Sequence, residues 1–480
     1  MDIKAIPGVF DIMPNSPKEE WRSSHLWNYV EKIIRETANE YGYREIRTPI
    51  LERAELFKRV VGETTDIVSK EMYTFLDRGE RLLALRPEGT APVARAYIEH
   101  NLQHESPIQK LFYIGAMFRY ERQQAGRYRQ HHQFGVEAIG SDAPEQDAEI
   151  IDLLHTLYSR LGMKDLTVRI NSLGSKESRT AYREALINYL LPFSNELSED
   201  SKNRVSANPL RVLDSKDPRD KEIVSGAPKI LDFLSEGDQE HFSKVLKCLD
   251  SLKIPYVIDP MIVRGLDYYN RTIFEVVSGE LGSQNSVGGG GRYDGLIQLL
   301  GGPQVPSSGF GTGIERIIQV MQKQNVALPA SPSPILYLIP MGEEAKNVCF
   351  KLTHQLREEH LPVEMDFTGR KLNKSMQYAN QIKARFVAVV GEDELASQQV
   401  DLKDMLTGEK SPVPLFKMAR ILKIEHHGDQ FINAWKEMSV PFDNAVETKY
   451  FAKKLSQTIQ DTKQITEDLE NAIKKMKEIL

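Results

Sequence analysis

The chain has 480 residues, 40% of them hydrophobic and 27% charged, with 31 Gly and 24 Pro. That balance belongs to soluble globular proteins and excludes disordered and fibrous ones, and at roughly 150 residues per domain the length allows about three domains. The formal charge of −6 argues against a generic polyanion binder, although local basic patches still steer RNA.

Two cysteines, Cys248 and Cys349, cannot build a disulfide framework or a four-cysteine zinc site. The start carries no secretory-type apolar run and no stretch of about 18 apolar residues occurs, so a cytoplasmic protein without membrane contact is expected.

Taken in chain order, Leu26, Tyr29, Val30, Ile33, Ile34, Ala38 and Tyr41 recur at helical spacing and Gly42 follows, which predicts an amphipathic helix. It runs into Tyr43-Arg44-Glu45-Ile46-Arg47-Thr48-Pro49, a short alternating segment closed by proline and expected to be a strand. Strand-like runs return at 110–121, 130–139 and 272–277. Residues 1–330 are therefore expected to form an α+β domain, an antiparallel sheet flanked by helices. Residues 171–256 turn charged and helical, with loop signals at Asn208-Pro209 and Lys216-Asp217-Pro218, and read as a helical insertion.

Leu328-Pro329-Ala330-Ser331-Pro332-Ser333-Pro334 has the composition of a stiff linker. Beyond it, strands expected at 335–339, 363–366 and 386–390 alternate with helices at 343–359 and 371–383. That is the pattern of a small α/β domain with a largely parallel sheet, placed at 331–415. From 416 to 480 a helical extension is expected. Leu455, Ile459, Thr462, Thr466, Leu469, Ile473, Met476 and Leu480 step by four and three, a seam for packing on the chain itself or on a dimer mate.

Three segments concentrate arginine, glutamate and glycine: 85–91, 118–137 and 263–316. Alternate side chains of a strand share a face, so Arg119 and Glu121 project together, and Gln133, Gly135 and Glu137 do so on the returning strand. A polar face inside a sheet is costly unless a ligand pairs with it. The fork of Arg119 suits a phosphate and Glu137 suits a ring N–H. His131 and His132 are neighbours on a strand and point to opposite faces, so no metal pair is expected of them. Glycines gather at 288–291 and 309–313; the second run lacks the lysine and spacing of a P-loop and is expected to open a helix facing a nucleotide.

Phe118-Arg119-Tyr120-Glu121 with its loop resembles motif 2 of the class II aminoacyl-tRNA synthetases, 309–316 resembles motif 3, and 43–49 with the preceding helix resembles motif 1, the dimer element. Leu85-Arg86-Pro87-Glu88-Gly89-Thr90 and Val263-Arg264-Gly265-Leu266-Asp267-Tyr268-Tyr269-Asn270-Arg271-Thr272 are similar to signatures of the histidyl-tRNA synthetase family. The likeness covers about residues 4–415. It implies a class II catalytic domain, an anticodon-binding α/β domain, a homodimer, and the partners L-histidine and tRNA(His), with ATP as substrate and Mg2+ on the pyrophosphate oxygens rather than in a protein cage.

Residue by residue, the resemblance implies that Glu88, Gly89, Thr90 and Gln133 receive the amino and carboxylate groups of histidine, and that Glu137, Tyr268 and Tyr269 surround its imidazole. Arg119 and Arg264 would grip the α-phosphate as the catalytic pair, with Arg127, Arg316 and His131 completing the ATP site. His131 departs from the family's usual phenylalanine, whose ring stacks on adenine. Arg122, Gln124 and Arg129 would meet the acceptor end of the tRNA. A competing possibility is the histidine-binding regulatory paralogue of ATP phosphoribosyltransferase, which typically lacks the anticodon module and an intact set of arginines.

Overall fold

The computed structural model describes residues 3–16, 18–62, 65–121, 127–263, 266–279 and 286–426. Arg264, Arg122, Gln124 and the seam expected at 455–480 lie outside the described residues. The chain divides into two units, Met1–Ser331 and Pro332–Leu480.

In the first unit, helix α1 (Ser24–Glu40) buries the stripe Leu26, Trp27, Val30, Ile34 and Ala38. It stops just before Gly42, whose φ of +79° is the left-handed turn that ends many helices. The alternating segment after it forms only a two-residue strand, β1 (Arg44–Glu45), parallel to a later strand at the sheet edge. Next come β2 (Leu51–Arg53), α2 (Ala54–Val61), β3 (Thr74–Leu76), β4 (Leu82–Leu85) and α3 (Thr90–Glu99), with β2, β4 and β3 making a small sheet.

The site rests on an eight-stranded sheet. It contains β5 (Gln109–Phe118), β6 (Gln130–Ile139), β7 (Leu166–Ser172), β8 (Tyr256–Ile258), β9 (Asn270–Ser278), β10 (Ser286–Arg292) and β11 (Ser307–Gly313), in the order β1-β5-β6-β11-β10-β9-β7-β8. All pairings are antiparallel except β1 with β5 and β7 with β8, at the two edges. On β6, Phe134, Val136 and Ala138 enter one core with α1, α4 (Pro144–Arg160) and α10 (Ile314–Lys323). Burying a side chain of the size of Phe134 or Val136 contributes about 1.5–3 kcal/mol. The intervening Gln133, Gly135 and Glu137 face the other way, as period-two alternation requires.

Between β7 and β8 the chain leaves the sheet edge and returns to it. The excursion carries α5 (Lys176–Leu190), α6 (Glu199–Ala207) and α7 (Pro218–Ser225), whose apolar faces join a second core with α2 and α3, and α8 (Glu236–Ser251), whose Phe242, Val245 and Leu249 pack into the first core. Short α9 (Leu296–Leu299) joins β10 to β11.

One expectation changes. The strand expected at 110–121 ends at Phe118, because Tyr120 donates its backbone N–H to Glu71 O instead of to the ladder. The second glycine run is itself strand, with Gly309, Gly311 and Gly313 in β11, and the expected helix opens directly from it, Gly313 being the N-cap of α10. Glycines oppose one another across the ladder, Gly289 to Gly311 and Gly291 to Gly309.

The second unit has β12 (Leu336–Pro340), α11 (Glu343–Glu358), β13 (Val363–Met365), α12 (Leu372–Gln381), β14 (Phe386–Val390), α13 (Glu392–Ser397), β15 (Gln399–Asp404) and β16 (Lys410–Pro414). The sheet runs β13-β12-β14-β15-β16: the first three strands are parallel and the last two form an antiparallel hairpin. Met418 and Leu422, past the last strand, are fully buried in this unit's core.

Candidate active site

Two lobes of one cleft open on the face of the large sheet. The smaller, about 80 Å³, is lined by Glu88, Thr90, Arg119, Gln133, Tyr268, Tyr269 and Tyr293 among others. The larger, about 200 Å³, is lined by Arg119, Glu121, Arg127, His131, Glu315 and Arg316 among others. Arg119, Gln133, Gly289 and Gly311 belong to both walls, so the two lobes adjoin.

The glycines explain how a cleft fits into a sheet. A Cβ on Gly311 would lie 1.8 Å from Gln133 Nε2, and one on Gly309 would lie 2.4 Å from Glu137 Oε2. Absent side chains on β11 thus give β6 room to lay two polar side chains across its neighbour, a use of strand glycine for close approach.

In the smaller lobe Glu88 is 3% exposed and accepts from the backbone N–H groups of Thr90 and Ala91, both at 2.8 Å. It caps the start of α3. Burial raises its carboxyl above the usual range, and the two N–H donors pull the other way. Gly89 admits the Tyr113 ring; a Cβ there would sit 2.2 Å from that ring's Cζ.

Glu137 does not line the cavity; it lies one layer behind. Its carboxyl accepts from Thr90 Oγ1 at 2.8 Å and from the Tyr293 hydroxyl. Burial lifts its pKa to about 8, against the lowering effect of those hydroxyls and reinforced by Glu88. Gln133 Oε1 is buried with no hydrogen-bond partner among the described residues.

In the larger lobe Arg119 donates from Nε to Pro87 O at 2.8 Å, which ties the phosphate-suited fork to the Glu88 segment. Arg127 pairs with Glu121 at 3.2 Å. Arg316 donates to Ser286 O; burial, then the nearby Arg127, lowers its pKa. Like-charged guanidinium groups crowd a partly desolvated lobe, and a multiply charged anion relieves that repulsion.

His131 lines this lobe as a neutral ring: burial, then Arg119, His132 and Arg316, push its pKa down to about 3. The His132 ring packs edge-on against Trp27 of α1, with centroids 4.9 Å apart, and Glu315 Oε1 accepts from the His132 backbone N–H at 2.8 Å. Glu315 Oε2 is buried with no hydrogen-bond partner among the described residues.

Arg129 joins neither lobe. Its guanidinium lies 3.9 Å from the centroid of the Tyr120 ring, and its stem packs on Gly8. The residues missed in the sequence are Tyr293, Tyr113 and Glu315. Tyr293 and Glu315 each stand beside a glycine run, and a phenol or carboxylate in such a run was the available signal.

A largely antiparallel sheet presenting Arg119 from a strand–turn–strand and Arg316 from the start of α10 is the catalytic architecture of the class II aminoacyl-tRNA synthetases. The family model for histidyl-tRNA synthetase matches residues 16–177 and 209–317, and that for the anticodon binding domain matches 336–424. The chain is 60% identical to a histidine–tRNA ligase of Protochlamydia amoebophila over 87% of this chain and 98% of the relative. It is 47% identical to one from a Geobacillus species, over 87% and 97%. The crystal structure of apo Staphylococcus aureus histidyl-tRNA synthetase superposes with a TM-score of 0.75 at 37% identity, covering 88% of this chain and all of that one. This chain belongs to the histidyl-tRNA synthetase family.

Proposed function

We propose that this chain is a histidine–tRNA ligase that activates L-histidine with ATP and transfers it to the end of tRNA(His). The observation that carries the site assignment is Arg119 in the wall shared by both lobes. An α-phosphate held there stands between an amino acid in the smaller lobe and the outer phosphates in the larger. The matched anticodon module and the 60% identity favour the ligase over the regulatory paralogue.

In this reading Glu88, Thr90 and Gln133 receive the histidine backbone, and the buried, unsatisfied Gln133 Oε1 is an acceptor for its ammonium group. Tyr269 and Tyr268 flank the imidazole, and Glu137 acts on it from behind with Thr90 and Tyr293. The histidine carboxylate attacks the α-phosphorus in line, the bond to the β-phosphate oxygen breaks, and pyrophosphate leaves. No protein nucleophile is needed, because positioning and charge neutralisation by Arg119, Arg264, Arg127 and Arg316 lower the barrier. In the second step the terminal ribose hydroxyl attacks the activated carbonyl and AMP departs.

No group of three or more potential metal-ligating side chains occurs among the described residues. The free oxygen of Glu315 fits a Mg2+ that takes most of its ligands from phosphate and water, and that ion would offset charge on the leaving pyrophosphate. A homodimer is part of the proposal. Leu51, Phe75, Leu76 and Leu82 on the small β2–β4–β3 sheet are 42–65% exposed, an apolar patch suited to a second copy. No helix among the described residues is long and apolar enough to cross a membrane, and a cytoplasmic address beside tRNA is proposed with the activity.

The test is ATP–pyrophosphate exchange with each amino acid in turn. Exchange with histidine alone is expected; exchange with another amino acid, or with none, overturns the reading.

A further inference from the structure

The segment carrying Tyr268 and Tyr269 is gripped from one side at every second residue. Asp267 Oδ1 accepts from Asn208 Nδ2 at 3.0 Å and pairs with Arg211 at 3.4 Å. The Tyr269 carbonyl accepts from Arg179 at 2.5 Å. Arg271 pairs through Nε with Asp238 at 3.1 Å, and its backbone exchanges hydrogen bonds with Leu173 and Gly174. Arg179 sits on α5, Asn208 and Arg211 follow α6, and Asp238 begins α8. All of these side-chain partners come from the helical insertion.

Arg271 holds a φ of +45°, a conformation uncommon for a residue with a side chain, so its ties maintain a backbone course the segment does not prefer by itself.

Packing adds to these ties, since Tyr269 shares a buried core with Tyr182, Leu186 and Leu190 of α5, but it is incomplete. A cavity of about 250 Å³ separates the insertion from the segment, with Arg179, Arg183 and Arg211 on one wall and Val263, Leu266 and Tyr269 on the other. Where the segment borders this cavity it has room to shift once a tether is cut, which a fully close-packed segment lacks.

We propose that the helical insertion sets the position of the histidine pocket's Tyr269 wall, with Arg179, Asn208 and Arg211 as positioning residues for substrate selection. The insertion is then a specificity element acting at one remove, and anything that shifts it changes histidine affinity more than ATP affinity. This rests on the reading of Tyr269 as a histidine-pocket residue.

The test uses the full chain in ATP–pyrophosphate exchange, measuring KM for histidine and for ATP, and Tm, in Arg179→Met, Arg179→Lys, Asn208→Ala and Tyr269→Phe. Cutting one charge-assisted tether is expected to raise the histidine KM about tenfold in Arg179→Met, and severalfold in Asn208→Ala, at unchanged ATP KM. Lysine at 179 restores part of the loss. Wild-type histidine KM in folded Arg179→Met and Asn208→Ala overturns the proposal, as does an equal rise in both KM values. If Arg179→Met does not fold, Asn208→Ala decides. If Tyr269→Phe leaves the histidine KM unchanged, the assignment of Tyr269 fails and the proposal falls with it; a raised KM there beside unaffected insertion variants refutes the proposal alone.

Discussion

Replacing Glu137 by glutamine separates the scaffold's needs from the substrate's. Glu137 is 1% exposed, and burial moves its pKa from 4.5 to about 8. The folded state therefore keeps a proton that the unfolded state releases above about pH 4.5. The stability this proton confers is complete below that pH, falls as pH rises toward 8, and is gone above it. At about 1.4 kcal/mol per pKa unit the loss has a ceiling of about 5 kcal/mol. Glutamine has the shape of the protonated acid and does not titrate, while every other group in the protein is shared by the two forms. The difference in unfolding free energy between Glu137→Gln and the parent should therefore be near zero at pH 5 and grow in the variant's favour up to pH 8. Above pH 9 it should be level. Urea unfolding at pH 5, 7 and 9 measures it. The same variant should raise the histidine KM only severalfold, because Glu137 reaches the pocket through Thr90 and Tyr293, with ATP KM unchanged. A stability difference that stays flat between pH 5 and pH 9 refutes the argument.

His131→Phe removes no charge, because the imidazole is neutral with a pKa of about 3; its wider ring should lower the ATP KM severalfold, read from the ATP dependence of exchange. Asp147→Asn removes the 2.6 Å partner of the fully buried Arg292 and leaves it only Asp294 at 3.1 Å as an ionic partner, and should cost about 1.5–3 kcal/mol in denaturant unfolding. A chain ending near Pro329 keeps the first unit whole, and should form histidyl adenylate while charging tRNA poorly. Loss of adenylate formation in a folded truncation would count against that division.

What periodicity encodes was readable without coordinates: α1 from its apolar stripe, the polar face of β6 from its alternation, the second unit from its strand–helix rhythm. The glycine runs were harder. A glycine string has the same composition in a ligand loop and in a strand that must let a neighbour's side chain cross it, and only the pairing of Gly309 and Gly311 beside β6 tells these apart. Glu88 stood out in the sequence as a candidate site carboxylate, with nothing to show that it caps α3. The Tyr293–Glu137 bond spans 156 residues and the Arg179–Tyr269 bond spans 90; no local pattern announces such partners.

The facing glycines of β10 and β11 have a thermodynamic side. Where most sheets are covered by their own side chains, this one leaves a cleft, and in the proposed function histidine and ATP fill it as removable parts of the interior. Its melting point should thus report substrate supply. A ligand at a hundred times its Kd adds about 2.7 kcal/mol to the folded state, and histidine and ATP together, in adjoining lobes that share Arg119, should add more than the two measured separately. A cell short of histidine would then hold not merely an idle enzyme but a less durable one.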